Sequence, residues 1–212
     1  MRLQWKEELI ARVNARVDQP EQSLNDIAIL KREEHEYLPV SVKGTYDHAS
    51  EVYFFTTDKL GRPGWWVHTR LDLKNDKSLI VNRGFVPYEQ KNPETRREGQ
   101  PEGLVEVAGL LRFPLLEKPF GSLDNNLKKR EFYWRNVGEM ASVMDGDPAK
   151  YLPIILDRDN KPIAGGVPEG GTTLLAFSNN HLQYAITWYG LALTLLGVGG
   201  YFLYSRKSAT AK

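Results

Sequence analysis

The chain's four histidines are His35, His48, His68 and His181, and no two of them stand at metal-ligand spacing. There is no GxSxG, no HExxH and no glycine-rich phosphate loop between a strand and a helix. Cysteine is absent, which excludes a disulfide framework, a thiolate zinc site, a CxxC redox pair, covalent haem attachment and a cysteine-based copper chaperone. Asp157 and Asp159 close an apolar run and offer no paired-carboxylate logic by themselves. Lys128-Lys129-Arg130 could meet phosphates or propionates, although a solvated basic turn is the simpler reading. The glycine pairs Gly165-Gly166 and Gly170-Gly171 bracket Pro168 and precede an apolar run, so they read as a conformational loop. Nothing here supports general acid/base or nucleophilic chemistry, and the expectation is a protein that is not an enzyme.

One segment keeps a chemical possibility open. In Asn179-Asn180-His181-Leu182-Gln183-Tyr184-Ala185, Asn179 or Asn180 can cap a helix by accepting from its orphan N–H groups. His181 and Gln183 then fall in the first turn. His181 is either an interfacial polar residue or a neutral imidazole offered to a metal or haem. The uncharged run behind that turn decides where it lies. From Tyr184 to Tyr204 the chain carries no charge, and at helical rise this run spans about 31 Å, the thickness of a bilayer's hydrocarbon core. Tyr184, Trp188 and Tyr189 at one end and Tyr201 and Tyr204 at the other resemble interfacial aromatic belts. Arg206, Lys207 and Lys212 come after it without an acid, while 170–183 holds no Lys or Arg. The positive-inside rule places the C-terminus in the cytoplasm or matrix and everything before Tyr184 on the outer face. Gly190, Thr194 and Gly197 line one face of this helix with small groups, which lets another backbone approach in lipid.

The rest of the chain positions that helix. Its 212 residues suffice for one ordinary domain, and a formal charge of +1 argues against a nucleic-acid partner. Arg2 to Val17 reads as an amphipathic helix too charged to span a membrane, with Leu9, Val13 and Val17 on one face. Between Pro20 and Phe177, short apolar runs alternate with Gly, Pro, Asn and Asp. Strands are expected at 40–46, 52–56, 65–73, 79–86, 104–113, 132–137, 151–156 and 173–177, with one helix around Val137–Met144. The expected fold is mainly β, an antiparallel sheet or small barrel with short peripheral helices, followed by a transmembrane helix. The organisation divides into an amphipathic helix (1–19), a β-rich domain (20–178), the membrane helix with its cap (179–204) and a basic tail (205–212).

NNHLQYAITWYGLA, Asn179 to Ala192, resembles the C-terminal motif of the Surfeit locus protein 1 family, the assembly factors of haem–copper cytochrome c oxidase. Gly64 to Pro87, which contains Asn82-Arg83-Gly84, is similar to the family's paired strands ending in a VNRGW-type motif, with Phe85 in place of the usual Trp and Arg70 where Pro is common. GGVPEGGTT from Gly165 and RLQWK from Arg2 resemble further family segments, so the likeness covers nearly the whole chain. The resemblance implies a two-helix membrane protein, and hence a first membrane helix expected upstream of Met1 and absent from this chain. It places the β domain in the periplasm or intermembrane space, on a bacterial plasma (inner) membrane or, alternatively, the mitochondrial inner membrane. The implied partners are oxidase subunit I, the haem a synthesis machinery and the lipid bilayer. The implied role is to assist haem a delivery or insertion, with haem a held transiently. His181 is then the candidate axial ligand, with Trp188 and Tyr189 beside the porphyrin. The alternative function is a structural scaffold or accessory subunit that binds no cofactor.

Overall fold

The structure, a computed structural model, describes residues 13, 15–74, 76–115, 117–145, 147–171 and 181–210, and within the last helix the side chains of 186–199 and 201. The chain divides into two compact units, Met1–Thr173 and Leu174–Lys212. Most of the expected amphipathic helix, the strand at 173–177, and Asn179 and Asn180 lie outside the described residues.

The first unit is built on seven strands: β1 (Gln22–Ser23), β2 (Pro39–Thr57), β3 (Pro63–Leu73), β4 (Ser78–Pro87), β5 (Leu104–Arg112), β6 (Glu131–Phe132) and β7 (Tyr151–Arg158). The short helices α1 (Arg32–His35) and α2 (Val137–Asp145) accompany them. The runs at 40–46 and 52–56, read as two strands, form the single strand β2. The polar stretch between them is a register shift between Asp47 and Val52 rather than a break. Local bonds replace the lost ladder: the Asp47 carboxylate accepts from Ala49 N–H, Ser50 Oγ donates to Asp47 O, and Arg70 N–H donates to Ser50 Oγ. The strand expected at 132–137 shrinks to β6, because Asn136 caps α2: its Oδ1 accepts from Glu139 N–H.

The length of β2 closes the sheet. Its first part, Pro39–Thr45, pairs antiparallel with β5, and Gly44–Thr57 pairs antiparallel with β3. The ring then runs β2–β3–β4–β7–β5 and back to β2. The expected antiparallel sheet or small barrel is thus a closed, mainly antiparallel ring, with the difference that β4 and β7 are parallel, as are the short β1 and β6 against β2. A parallel pair needs a long crossover, and the segment carrying α2 between β5 and β7 supplies it. This ring order is that of the OB-type Greek-key barrel, an order that fixes no ligand by itself. At Gly44, where β2 is shared between two partners, a Cβ would stand 2.7 Å from Asp72 O, so the crossing admits only glycine without a shift.

Alternation along the strands sorts the core into two sides. Val40, Val42, Leu71, Leu79, Val81, Val107, Leu111, Ile154 and Leu156 share one buried cluster, the barrel interior. Val52, Ile80, Phe132 and Ile155 share another with Met140, Ala141 and Met144 of α2, which covers that outer face. Residues 79–86 of β4 are therefore buried on both faces, which explains the continuous apolar run Leu79–Val81.

The second unit contains α3, His181–Thr210. Among the described residues no helix is long and apolar enough to cross a membrane. Ile186, Leu191, Leu193, Leu195, Leu196 and Val198 are all exposed.

Candidate functional site

Asn82, Arg83 and Gly84 occupy consecutive positions of β4, so their side chains alternate between the two sides of the barrel wall. Asn82 Nδ2 donates to Asp157 Oδ1 at 2.9 Å, and its Oδ1 accepts from Gly84 N–H. Gly84 has φ +124°, and a Cβ there would lie 2.0 Å from Glu169 O. That close approach lets Phe85 exchange backbone hydrogen bonds with Glu169 at 2.8 Å in both directions, which pins the glycine-rich loop to the end of β4. Arg158 secures the same loop, with Nε on Arg83 O, Nη1 on Lys161 O and Nη2 on Pro168 O.

Arg83 points to a buried charge cluster. Its guanidinium donates to Glu51 Oε1 at 3.2 Å, to His48 Nδ1 at 3.2 Å and to Gly99 O, and it lies 5.0 Å from the Tyr46 ring centroid. Arg96 completes the cluster with a bidentate contact to Glu51, 3.0 and 2.5 Å, and further bonds to Gln90 O and Lys91 O. All three charged groups are buried. One carboxylate thus faces two guanidiniums, and the carbonyls of Gln90, Lys91 and Gly99 accept further N–H bonds from them. The cluster orders the long β4–β5 connection against the barrel. Burial lowers the Arg83 pKa and that of His48, and pushes the Tyr46 hydroxyl up to about 12.

The outer side holds a second polar hub around Asp157. Besides Asn82, it faces Arg112 Nη1 at 3.2 Å and Arg135 Nη2 at 3.5 Å. Burial alone would raise its pKa, but the charges of Arg135 and Arg112 prevail and hold it below 3.8. Arg135 also covers the stacked pair Phe54–Trp66, 5.0 Å from the Trp66 centroid. Beside them His68 is fully buried. Its Nδ1 lies 3.3 Å from Trp66 O, which can only accept, so Nδ1 carries the proton and Nε2 is left as a buried acceptor without a hydrogen-bond partner.

Burial, reinforced by the charge of Arg135, lowers the His68 pKa to about 3. The unfolded chain protonates its histidine below about pH 6.5, whereas the folded chain resists down to about 3. Stability contributed by neutral His68 is therefore lost as pH falls through this window, with a slope of up to about 1.4 kcal/mol per pH unit. Asp157 adds its own loss only below 3.8, as pH falls through its depressed folded value. His68→Gln is expected to flatten the fall of the thermal midpoint between pH 6.5 and 4; parallel wild-type and variant profiles would assign the acid sensitivity to other groups.

The two hubs do not include the sequence-predicted haem residues. His181 is the first residue of α3, and the backbone of Gln183 and Tyr184 continues its first turn. The side chains of these three lie outside the described set. Trp188 and Tyr189 are exposed, and so present free aromatic surface. Thr194 Oγ1 donates to Gly190 O at 2.9 Å, and a Cβ at Gly190 or Gly197 would meet nothing within 4 Å among the described residues. Sequence reasoning missed Glu51, Arg96 and Arg135, and it set His68 and Asp157 aside as carrying no chemistry by themselves. For Glu51, His68, Arg135 and Asp157 the local signal was a charged or imidazole residue beside an apolar run, whereas Arg96 sits in the polar stretch 91–100 and had none.

The comparisons with known proteins agree with the motif. The SURF1 family matches residues 1–193. Surfeit locus protein 1 of Mus musculus is 35% identical over 206 residues, covering 90% of this chain and 65% of its own length. The Homo sapiens protein of the same name is 33% identical over 208 residues, covering 90% and 67% respectively. A SURF1-like protein of Monosiga brevicollis is 35% identical over 211 residues, covering 92% and 77%. The chain belongs to the SURF1 family, and it spans about two thirds of the length of the mouse and human relatives.

Proposed function

We propose that this chain is a membrane-anchored biogenesis factor for haem–copper cytochrome c oxidase, and that it assists delivery or insertion of haem a into subunit I. Family membership carries this reading. The uncharged run Tyr184–Tyr204 within α3 supports the anchor, since its helical length matches a hydrocarbon core. The positive tail Arg206, Lys207 and Lys212 then sets the barrel on the outer face, in the periplasm of a bacterium or in the intermembrane space of a mitochondrion.

Haem a is the cargo in this reading. It is apolar through its farnesyl tail and reaches the protein from the bilayer. His181 at the start of α3 supplies the imidazole ligand, and exposed Trp188 and Tyr189 supply aromatic surface to pack on a porphyrin. The histidines of the barrel suit this less well: His68 is fully buried, while His48 is engaged by Arg83 and Pro101 O. The optical spectrum of the full chain purified from cells that make haem a tests the proposal. Soret and α bands are expected; their absence from a folded preparation would turn the reading to a scaffold that binds protein alone.

Gly190, Thr194 and Gly197 form the helix-packing face of this reading. Gly190→Leu and Gly197→Leu are expected to reduce co-purification with the oxidase by placing bulk where another helix approaches. Unchanged recovery of oxidase subunits with both variants would remove this face from the interaction.

A further inference from the structure

His48 stands on the register shift of β2, where residues 48–51 leave the ladder with β3. Its ring is half-buried, so protons from solvent reach it. Nε2 lies 2.9 Å from Pro101 O, and Nδ1 lies 3.2 Å from Arg83 Nη1. A carbonyl oxygen only accepts and a guanidinium only donates, which fixes the tautomer: Nε2 carries the proton and Nδ1 is bare. Only the neutral ring makes both bonds at once.

Those bonds hold the far end of the β4–β5 connection. His48 donates to Pro101 O, and Arg83 Nη2 donates to Gly99 O two residues earlier. Gly99 leaves no room for a Cβ against Val167 O of the glycine-rich loop, and a Cβ at Gly165 would come 3.0 Å from that of Glu98. Residues 98–101 thus touch the barrel wall through His48 and Arg83, and the glycine-rich loop through Glu98 and Gly99.

A proton on Nδ1 sets one N–H against another and places a second positive charge beside Arg83. One partner then has to turn away. Arg83 is 2% exposed and is also held by Glu51 and Gly99 O, whereas His48 sits on an irregular, half-buried stretch. The imidazole is therefore the group that turns, and its bond to Pro101 O is lost. The charged groups around the ring pull both ways. Burial is the largest influence on it and, with Arg83 of β4, lowers its pKa; the Pro101 bond and the carboxylates of Asp47 and Glu51 oppose them. Glu51 is already engaged by Arg83 and Arg96, and Tyr46, with its ring centroid 5.6 Å from that of His48, stays neutral.

We propose that His48 is an acid-sensitive clasp. Neutral, it fastens the end of the β4–β5 connection to the barrel; protonated, it frees Pro101 and loosens the contact of 98–101 with the glycine-rich loop, while the barrel stays folded. The clasp is closed above about pH 6.5 and opens as pH falls through the lowered value of the folded ring. It involves the first unit alone and stands independently of haem binding and of the anchor.

Amide hydrogen exchange of the full chain tests it, followed stepwise from about pH 7.5 to 4.5, a range in which His68, with its pKa of about 3, stays neutral. The probe is Gln100 N–H, which donates to Arg97 O; the reference is Leu111 N–H, which donates to Leu38 O within the barrel. After correction for intrinsic exchange, the ratio of the two rates is expected to rise about tenfold on acidification, the factor carried by one hydrogen bond. His48→Gln retains a donor for Pro101 and an acceptor for Arg83 but cannot titrate, so its ratio should stay low throughout. His48→Phe has neither, and its ratio should already be high at the upper end of the range. A flat ratio in the wild type, or an equal rise in the His48→Gln chain, would overturn the clasp. Nitrogen-15 spectra of the histidines give an independent reading: a bare Nδ1 on His48 is expected near pH 7.5, and an Nδ1–H tautomer would contradict the geometry on which the clasp depends.

Discussion

Glu51→Gln is expected to destabilise the barrel by about 3–5 kcal/mol, a large share of a domain's total stability. Glu51 is the only carboxylate bonded to Arg83 and Arg96 among the described residues, and all three are buried. A neutral amide cannot offset two guanidiniums removed from water, and it loses the bidentate geometry that Arg96 uses. For a chain of this size the loss corresponds to a thermal midpoint lower by about 10 °C. The exposed pair Lys43–Glu106, 3.7 Å apart, provides the contrast: Glu106→Gln should change stability by under about 1 kcal/mol. Near-UV circular dichroism during heating checks both. Equal shifts for the two variants would show that the buried cluster contributes no more than a surface pair.

His181→Ala is expected to abolish or strongly reduce the haem a that co-purifies with the chain, with no comparable loss of thermal stability. The variant removes an imidazole from the first residue of α3, in the second unit, and leaves the residues of both polar hubs of the barrel unchanged. Ligation needs the neutral ring, so haem retained by the wild type should fall as pH drops below about 6.5, the ordinary histidine value. The Soret and α bands per mole of protein give the readout. Equal haem content with an unshifted spectrum would remove His181 from the site and favour the scaffold reading.

The two variants separate what was legible in the sequence from what was not. The strands β3, β4, β5 and β7 were visible as apolar runs bounded by turn residues, and α2 by its stop at Asp145 to Pro148. The motif Asn82-Arg83-Gly84 was visible as a resemblance, but its physical role was hidden. Asn82 meets Asp157 across 75 positions, and Arg96 meets Glu51 across 45. No local period encodes a contact at such separation. The choice between the two expected forms, open sheet and small barrel, was hidden for the same reason: closure depends on β2 being one strand, and the polar stretch from Asp47 to Ser50 disguised a register shift as a break between two strands. The parallel β4–β7 pairing had no local signal, because α2, only Val137–Asp145, gave little sign of a crossover. Glycine was the clearest local clue in retrospect, since Gly84 sits where a side chain would collide with Glu169 O.

The central claim, assistance to haem–copper oxidase assembly, is most directly tested in cells from which the chain's gene has been deleted. Cytochrome c oxidase activity and the haem a α band of their membranes are to be measured with the gene absent and with it restored. Both are expected to fall together on deletion and to return with the wild-type chain. Wild-type oxidase activity and an undiminished haem a band in the deletion strain would contradict the assembly role.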